Sequence, residues 1–156
     1  MNDDRRKVLK GTGGMAVMGL AVSAGLFRPG SAWAQAWNKA AFETKSLADT
    51  VKAMGGAGAT ESKDIVITSP DIAENGAVVP FTISSRLAKT ESIALLVEKN
   101  PNVLAASFNI PAGTEAGVTT RVKMGQTSNV TALVKADGKF FYTTKEVKVT
   151  LGGCGG

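Results

Sequence analysis

The chain has no histidine and only one cysteine, Cys154. The first absence removes Ser/His/Asp and Cys/His nucleophilic arrangements, together with His-containing zinc sites. The second removes a Cys-x-x-Cys redox pair and any disulfide within the chain. Aromatic residues are scarce, at 6%. Phe81, Phe108 and Phe140 read as core residues rather than as a platform for a ligand. There is no internal repeat and no apolar run of the roughly 20 residues that a membrane-spanning helix needs. A clustered basic face is also missing. The formal charge is +5, but Arg5, Arg6, Lys7, Lys10 and Arg28 face only Asp3 and Asp4 in residues 1–34, which leaves +3 there. The remainder has 13 Lys/Arg against 11 Asp/Glu, interspersed, for a net +2. Phosphate recognition needs a denser patch than that.

What is present begins with an address. Residues 1–34 have a charged start with the pair Arg5-Arg6, a weakly apolar stretch from Gly11 to Phe27 diluted by glycines, then Arg28-Pro29-Gly30 and the small-residue site Ala32-Trp33-Ala34. This is the pattern of a cleaved export signal. Its paired arginines resemble those of a twin-arginine (Tat) signal. The expectation is a mature chain starting near Gln35, exported to the periplasm in the folded state together with a partner. In an oxidising compartment a lone cysteine points to intermolecular pairing or a reactive thiol.

Residues 35–59 are expected to hold a helix over 37–54 and a glycine joint, "GGAGA", at 55–59. Phe42, Leu47, Val51 and Met54 recur at helical spacing, with Thr44, Lys45, Asp49 and Lys52 on the wetter side. The glycine stretch lacks the Lys-Ser/Thr of a phosphate loop and follows a helix rather than a strand. From residue 60 to 151 the apolar period becomes two. Strands are predicted over 63–68, 77–84, 91–98, 103–110, 117–124, 128–136 and 139–151. Asn75-Gly76, Asn100-Pro101-Asn102, Pro111-Ala112-Gly113 and Asp137-Gly138 mark turns, the last being the sharpest hairpin signal. Pro80 argues for an edge or a bulge. The pattern predicts a mainly β fold, an immunoglobulin-like antiparallel β-sandwich with an N-terminal helix. One face of each sheet should be buried and the other wet.

The end of the chain, residues 152–156, is Gly-Gly-Cys-Gly-Gly. Gly152, Gly153, Gly155 and Gly156 have no Cβ, so the arm is expected to be mobile and thin. Five residues extend about 17 Å at roughly 3.4 Å each. Catalysis requires a nucleophile held to within about 0.5 Å, which such an arm cannot provide unaided. It can, however, enter a pocket in another protein. A free cysteine titrates near about 8.5, which suits a thiol activated by its clients. Lys145 and Lys148 are the cations nearest in sequence that could assist it. The residues therefore point to Cys154 as a covalent carrier thiol, with no cofactor and no metal of its own. Two other readings stay open: a thiol-dependent enzyme (sulfurtransferase or peroxidase) using Cys154, and a structural sandwich-type binding module.

The segment "VKVTLGGCGG", together with "SPDIAENGAVVPFTI", "ESIALLVEKNPNVLAASFNIP" and "TTRVKMGQTSNVTALVKADGKFFYTTKEVKV", resembles the SoxY family, the sulfur carriers of the Sox thiosulfate-oxidising system. The resemblance covers nearly the whole mature chain. It implies a heterodimer with a small SoxZ-like sandwich subunit. It also implies that Cys154 holds an S-thiosulfonate and then persulfide-type intermediates. These would be passed among a haem-containing sulfur-attaching enzyme, a sulfate-releasing hydrolase and a sulfane dehydrogenase. Sulfur as the cargo comes from the resemblance alone.

Overall fold

Apolar residues recur at every second position in each of the seven predicted segments, and each forms a strand. A computed structural model describes residues 38–150. The expected signal, with Arg5 and Arg6, and the arm, with Gly152, Gly153, Cys154, Gly155 and Gly156, lie outside the described residues. The seven strands are β2 (Ile65–Thr68), β4 (Val79–Ser85), β5 (Thr90–Val97), β6 (Leu104–Asn109), β7 (Gly117–Val122), β8 (Ser128–Ala136) and β9 (Lys139–Val149). Two short ones join them, β1 (Thr60–Glu61) and β3 (Ile72–Ala73), and both pair parallel to β9. The remaining pairings are antiparallel.

The strands form an immunoglobulin-like sandwich. The larger sheet has the order β1-β9-β8-β5-β6, with β3 also on β9, and the smaller has the order β2-β4-β7. Between them lie Ile65, Val79, Phe81 and Ile83 from the small sheet, against Ile93, Leu95, Val97, Val130, Ala132, Val134 and Val147 from the large one. Of the three expected core aromatics, Phe81 is fully buried, whereas Phe108 and Phe140 are half-buried.

Asp137-Gly138 makes the β8–β9 hairpin as its chemistry predicts. Both residues have positive φ, 47° and 73°, the geometry that matches strand twist in a two-residue turn. Lys89 pairs with Asp137 at 2.9 Å, and the Gly138 N–H donates to Glu91 Oε1 at 2.8 Å. Asn100-Pro101-Asn102 lies between the paired strands β5 and β6, and Pro111-Ala112-Gly113 takes the chain from the large sheet to the small one. Asn75-Gly76 also makes its turn, with the Val78 N–H donating to the Asn75 carbonyl at 3.3 Å, and it joins β3 to β4, which lie in different sheets.

Pro80 sits in β4, the middle strand of the small sheet, opposite Arg121 of β7. Proline is tolerated there because β2 ends at Thr68, opposite Thr82. At Pro80 the strand has no β2 neighbour, so no ladder donor is lost on that side.

Two expectations need correction. The helix over 37–54 is two short helices, α1 (Lys39–Phe42) and α2 (Leu47–Ala53). The break follows from local chemistry. Ser46 takes an extended conformation (φ −124°, ψ 149°), and its Oγ accepts from the Asp49 N–H. Its hydroxyl donates to Asp49 Oδ2 at 2.7 Å. This Ser-x-x-Asp arrangement satisfies N-terminal donors much as a capping box does and starts a new helix. Thr44, placed on the wetter side, is half-buried, with its hydroxyl 2.6 Å from that of buried Thr50.

The large sheet, moreover, is not wet on its outer face. Ala94, Leu96, Leu104 and Leu133 form a second core with Val103 and Ala41. Phe42, Leu47, Val51, Met54, Phe140 and Tyr142 pack against it. That explains why the positions between the alternating Ile93, Leu95 and Val97 of β5, Ala94 and Leu96, are apolar too, as expected of a strand buried on both sides.

Candidate functional site

The described residues end at Thr150, two positions before the expected arm at 152–156, so the site open to description is the end of the last strand. β9 is the longest strand, with 11 residues. Val147 is fully buried and opposes Ser128, the first residue of β8. Beyond it the antiparallel ladder stops, and other groups take over the backbone. The Lys148 N–H donates to the Asp71 carbonyl at 2.9 Å, and the Thr150 N–H to the Ala73 carbonyl at 3.1 Å. These two bonds point to the β3 side. The intervening Val149 N–H points the other way and meets the Thr127 hydroxyl at 3.0 Å.

The segment that supplies Asp71 and Ala73 is itself anchored. Lys145 pairs with Asp71 at 2.9 Å and donates to the Ser69 carbonyl at 2.7 Å. The Met124 N–H donates to the Gly76 carbonyl at 2.7 Å, and Met124 is 1% exposed. Gly76 has to be glycine for reasons of approach: a Cβ there would strike the Met124 carbonyl oxygen and Val149 Cγ1. On the surface of the same segment Ile72 and Val78 are 56% and 51% exposed.

Of the two lysines nearest the thiol in sequence, Lys145 has its ammonium engaged by Asp71 and the Ser69 carbonyl. Lys148 is exposed, and its N–H holds the Asp71 carbonyl. Cys154 and the four arm glycines lie outside the described residues, so no geometry between them and the lysines is on view. Sequence reasoning missed Ala73 and Thr127 altogether. Ala73 acts through its backbone, and Thr127 is one exposed threonine in a loop. Gly76 did show as a turn signal, but the close approach behind it is tertiary.

The Lys145 hydrogen bond, reinforced by its charge, holds the Asp71 carboxyl below the usual aspartate range. A depressed carboxylate contributes stability above its unfolded value and loses it as pH falls through the folded one. Asp71 is fully exposed, so the effect on folding is small. The local consequence is measurable. In a carboxyl-carbon NMR titration Asp71 is expected to titrate below an ordinary aspartate, and Lys145→Met should return it towards the ordinary value. An unmoved midpoint in the variant would show that the pair does not form in solution.

Two cavities lie elsewhere. One, of about 720 Å³, is bounded by Arg86, Lys89, Glu91, Pro111 and Asp137 at the opposite end of the sandwich. The other, of about 610 Å³, is apolar and lies between α2 and the outer face of the large sheet, beside Leu133 and Tyr142. Lys145 and Lys148 line neither.

Comparison with known proteins bears on the same segment. The family described as "Sulfur oxidation protein SoxY" matches residues 51–154, so the match runs to the cysteine itself. Among solved structures, the sulfur carrier protein SoxY from Chlorobium limicola f. thiosulfatophilum is 33% identical, with a TM-score of 0.59 over 67% of this chain and 96% of that one. A superoxide reductase (neelaredoxin) from Ignicoccus hospitalis is 20% identical over 65% of this chain and 92% of that one, with a TM-score of 0.50. That likeness concerns the fold alone. None of the curated protein sequences matches significantly. With the family match over two thirds of the residues and a carrier of that family superposing along nearly its whole length, the chain belongs to the SoxY family of sulfur carrier proteins.

Proposed function

We propose that this protein is a periplasmic carrier in thiosulfate oxidation, with Cys154 as the attachment point and residues 152–156 as a swinging arm. The observation that carries this reading is the junction at Thr150. The last strand is held from both sides at Lys148, Val149 and Thr150, and the chain's sole thiol lies four positions after Thr150 in the sequence. A rigid base with a glycine-rich extension suits delivery of one sulfur atom into successive foreign pockets.

In the proposed cycle the Cys154 thiol loses its proton and joins the sulfane sulfur of thiosulfate. A disulfide-type S–S bond forms, and an electron pair passes to the haem of the attaching enzyme. The product is a cysteine S-thiosulfonate. Hydrolysis then breaks the bond between sulfane and sulfonate sulfur. Water oxygen goes to the released sulfate, and the electron pair of the broken bond stays on a cysteine persulfide. A sulfane dehydrogenase withdraws six electrons from that outer sulfur to its own acceptor while three waters supply the oxygens, giving a cysteine S-sulfonate, and a second hydrolysis releases sulfate and restores the thiol. This chain contributes the sulfur atom, its tether and the surface around the root.

The twin-arginine-like residues Arg5 and Arg6 support export in the folded state, as a complex with a SoxZ-like subunit. Intact-protein mass spectrometry of carrier isolated from thiosulfate-grown cells tests the proposal. Mass increments of a sulfur atom and of a thiosulfate unit should sit on the peptide containing Cys154 and vanish with reductant. A uniformly unmodified thiol during turnover would refute it.

A further inference from the structure

At the end of the sandwich away from Thr150, three connections come together: residues 86–89 between β4 and β5, residues 110–116 between β6 and β7, and the Asp137-Gly138 hairpin. They frame the cavity of about 720 Å³, a size within the roughly 300–1,000 Å³ of small-molecule sites. The side next to the core is apolar. Leu87 and Ile110 are half-buried against the core between the sheets, and Pro111 and Ala116 continue the wall. The frame is held from several directions. The Ser85 N–H donates to the Ala116 carbonyl and the Arg86 N–H to the Asp64 carbonyl, both at 2.8 Å. Ser85 Oγ accepts from the Leu87 N–H at 3.2 Å. Lys89 has φ 53°, a left-handed state that is uncommon for a lysine. No hairpin demands it, since β4 and β5 lie in different sheets. Asp137 secures it: its N–H donates to the Lys89 carbonyl at 3.2 Å, and its carboxylate pairs with the ammonium. Backbone kept in such a state costs energy, and functional sites are where it clusters.

The charges around the cavity are unevenly matched. Asp137 pairs with Lys89 at 2.9 Å. Glu91 takes the Lys135 ammonium at 2.6 Å on one oxygen and the Gly138 N–H at 2.8 Å on the other. Each carboxylate thus has its own ammonium. The Arg86 guanidinium, which also borders the cavity, has neither an ion pair nor a side-chain hydrogen bond among the described residues. An exposed cation alone attracts anions only weakly, because water screens it. Here the apolar wall supplies the second half of a site. A planar guanidinium fork accommodates both oxygens of a carboxylate, and the wall accommodates whatever apolar body carries it.

We propose that this cavity binds a small organic carboxylate, with Arg86 holding the carboxylate and Leu87, Ile110, Pro111 and Ala116 receiving the apolar part. The inference goes beyond the carrier reading and uses none of the residues on which that reading rests, so either can fail without the other.

The test is an amide NMR titration of the full chain with benzoate as the probe. Benzoate should shift the amides of Leu87, Ala112 and Gly113 saturably, with a Kd of about 1 mM, ordinary for so small a ligand. Benzyl alcohol keeps the ring and acetate keeps the charge; each should bind at least about tenfold more weakly, for want of the ion pair or of the buried ring. Arg86→Gln removes the charge from an exposed side chain, so the fold should persist. It should weaken benzoate about tenfold or more, the share of a charge-assisted hydrogen bond. Lys123→Gln removes an equal charge from an exposed residue outside the cavity and should bind benzoate like the parent. Shifts that rise without saturating, or an Arg86→Gln variant as tight as the parent, would overturn the site. Acetate as tight as benzoate would mean that an adventitious ion only is attracted. Benzyl alcohol as tight as benzoate would mean an apolar crevice in which Arg86 has no part. Either result also overturns the proposal, and the comparison of the three probes on the parent chain depends on no variant.

Discussion

Cys154→Ser is expected to reduce thiosulfate-dependent haem reduction to background, a loss of at least about a thousandfold, as for removal of any covalent nucleophile. The magnitude follows from the chemistry. In the proposed cycle the intermediate is a sulfur–sulfur bond, and a serine hydroxyl is neither appreciably ionised at neutral pH nor able to form one. The chain has no second cysteine to substitute. The informative experiment pairs turnover in the reconstituted system with a thermal melt of the same preparation. Turnover above a tenth of the parent would mean that sulfur travels by another route. The comparison also separates carrier from enzyme: a thiol peroxidase or sulfurtransferase would retain activity as a purified single chain before substitution, and a carrier would not.

The second large effect concerns the two faces of β5. Leu95 and Leu96 are both fully buried, yet they point to opposite sides of the sheet. Leu95 enters the core between the sheets, and Leu96 enters the core under α1 and α2. Leu95→Ala and Leu96→Ala are each expected to cost about 2–5 kcal/mol, from lost transfer energy and the cavity left behind. Either is a large share of the roughly 5–15 kcal/mol by which a domain of this size is stable. Urea unfolding with the slope held common to parent and variants measures both. If Leu96→Ala cost less than about 0.5 kcal/mol, the helical layer would be a loose cover and not a core. The measurement bears on function indirectly. β5 pairs with β8, and β8 pairs with β9, whose far end is the arm root, so a sheet loosened from either face would no longer hold that root in place.

Much of this molecule can be read in order along the chain. A period of two in the apolar residues marks all seven long strands, because side chains on an extended backbone alternate between faces whatever lies next to them. Asp137-Gly138 marks its own turn, since positive φ at adjacent positions depends on those residues alone. The terminal Gly-Gly-Cys-Gly-Gly, in a chain without histidine and with no other cysteine, points to a thiol that works through other proteins, and the family match extends to that residue. Even the helix break was written locally, in Ser46 and Asp49, beneath an apolar spacing that suggested continuity.

Other features have no local signature. Period two says which residues share a face but not what covers it, so the burial of Leu96 and Leu133 under two helices appeared only when residues some fifty positions apart were brought together. Pro80 lies in a middle strand because its neighbour β2 is short, and strand length relative to a partner is a property of the pair. The grip on Val149 and Thr150 depends on Thr127 and on the carbonyls of residues 71–73, which are distant in sequence and in part side-chain-independent. The sequence by itself therefore determined the strands and the turn, which follow from intrinsic conformational preferences, and it holds the thiol on which the proposed function rests. The tertiary structure decided how the end of the last strand is held, because long-range hydrogen bonds arise from chain segments meeting rather than from any one of them.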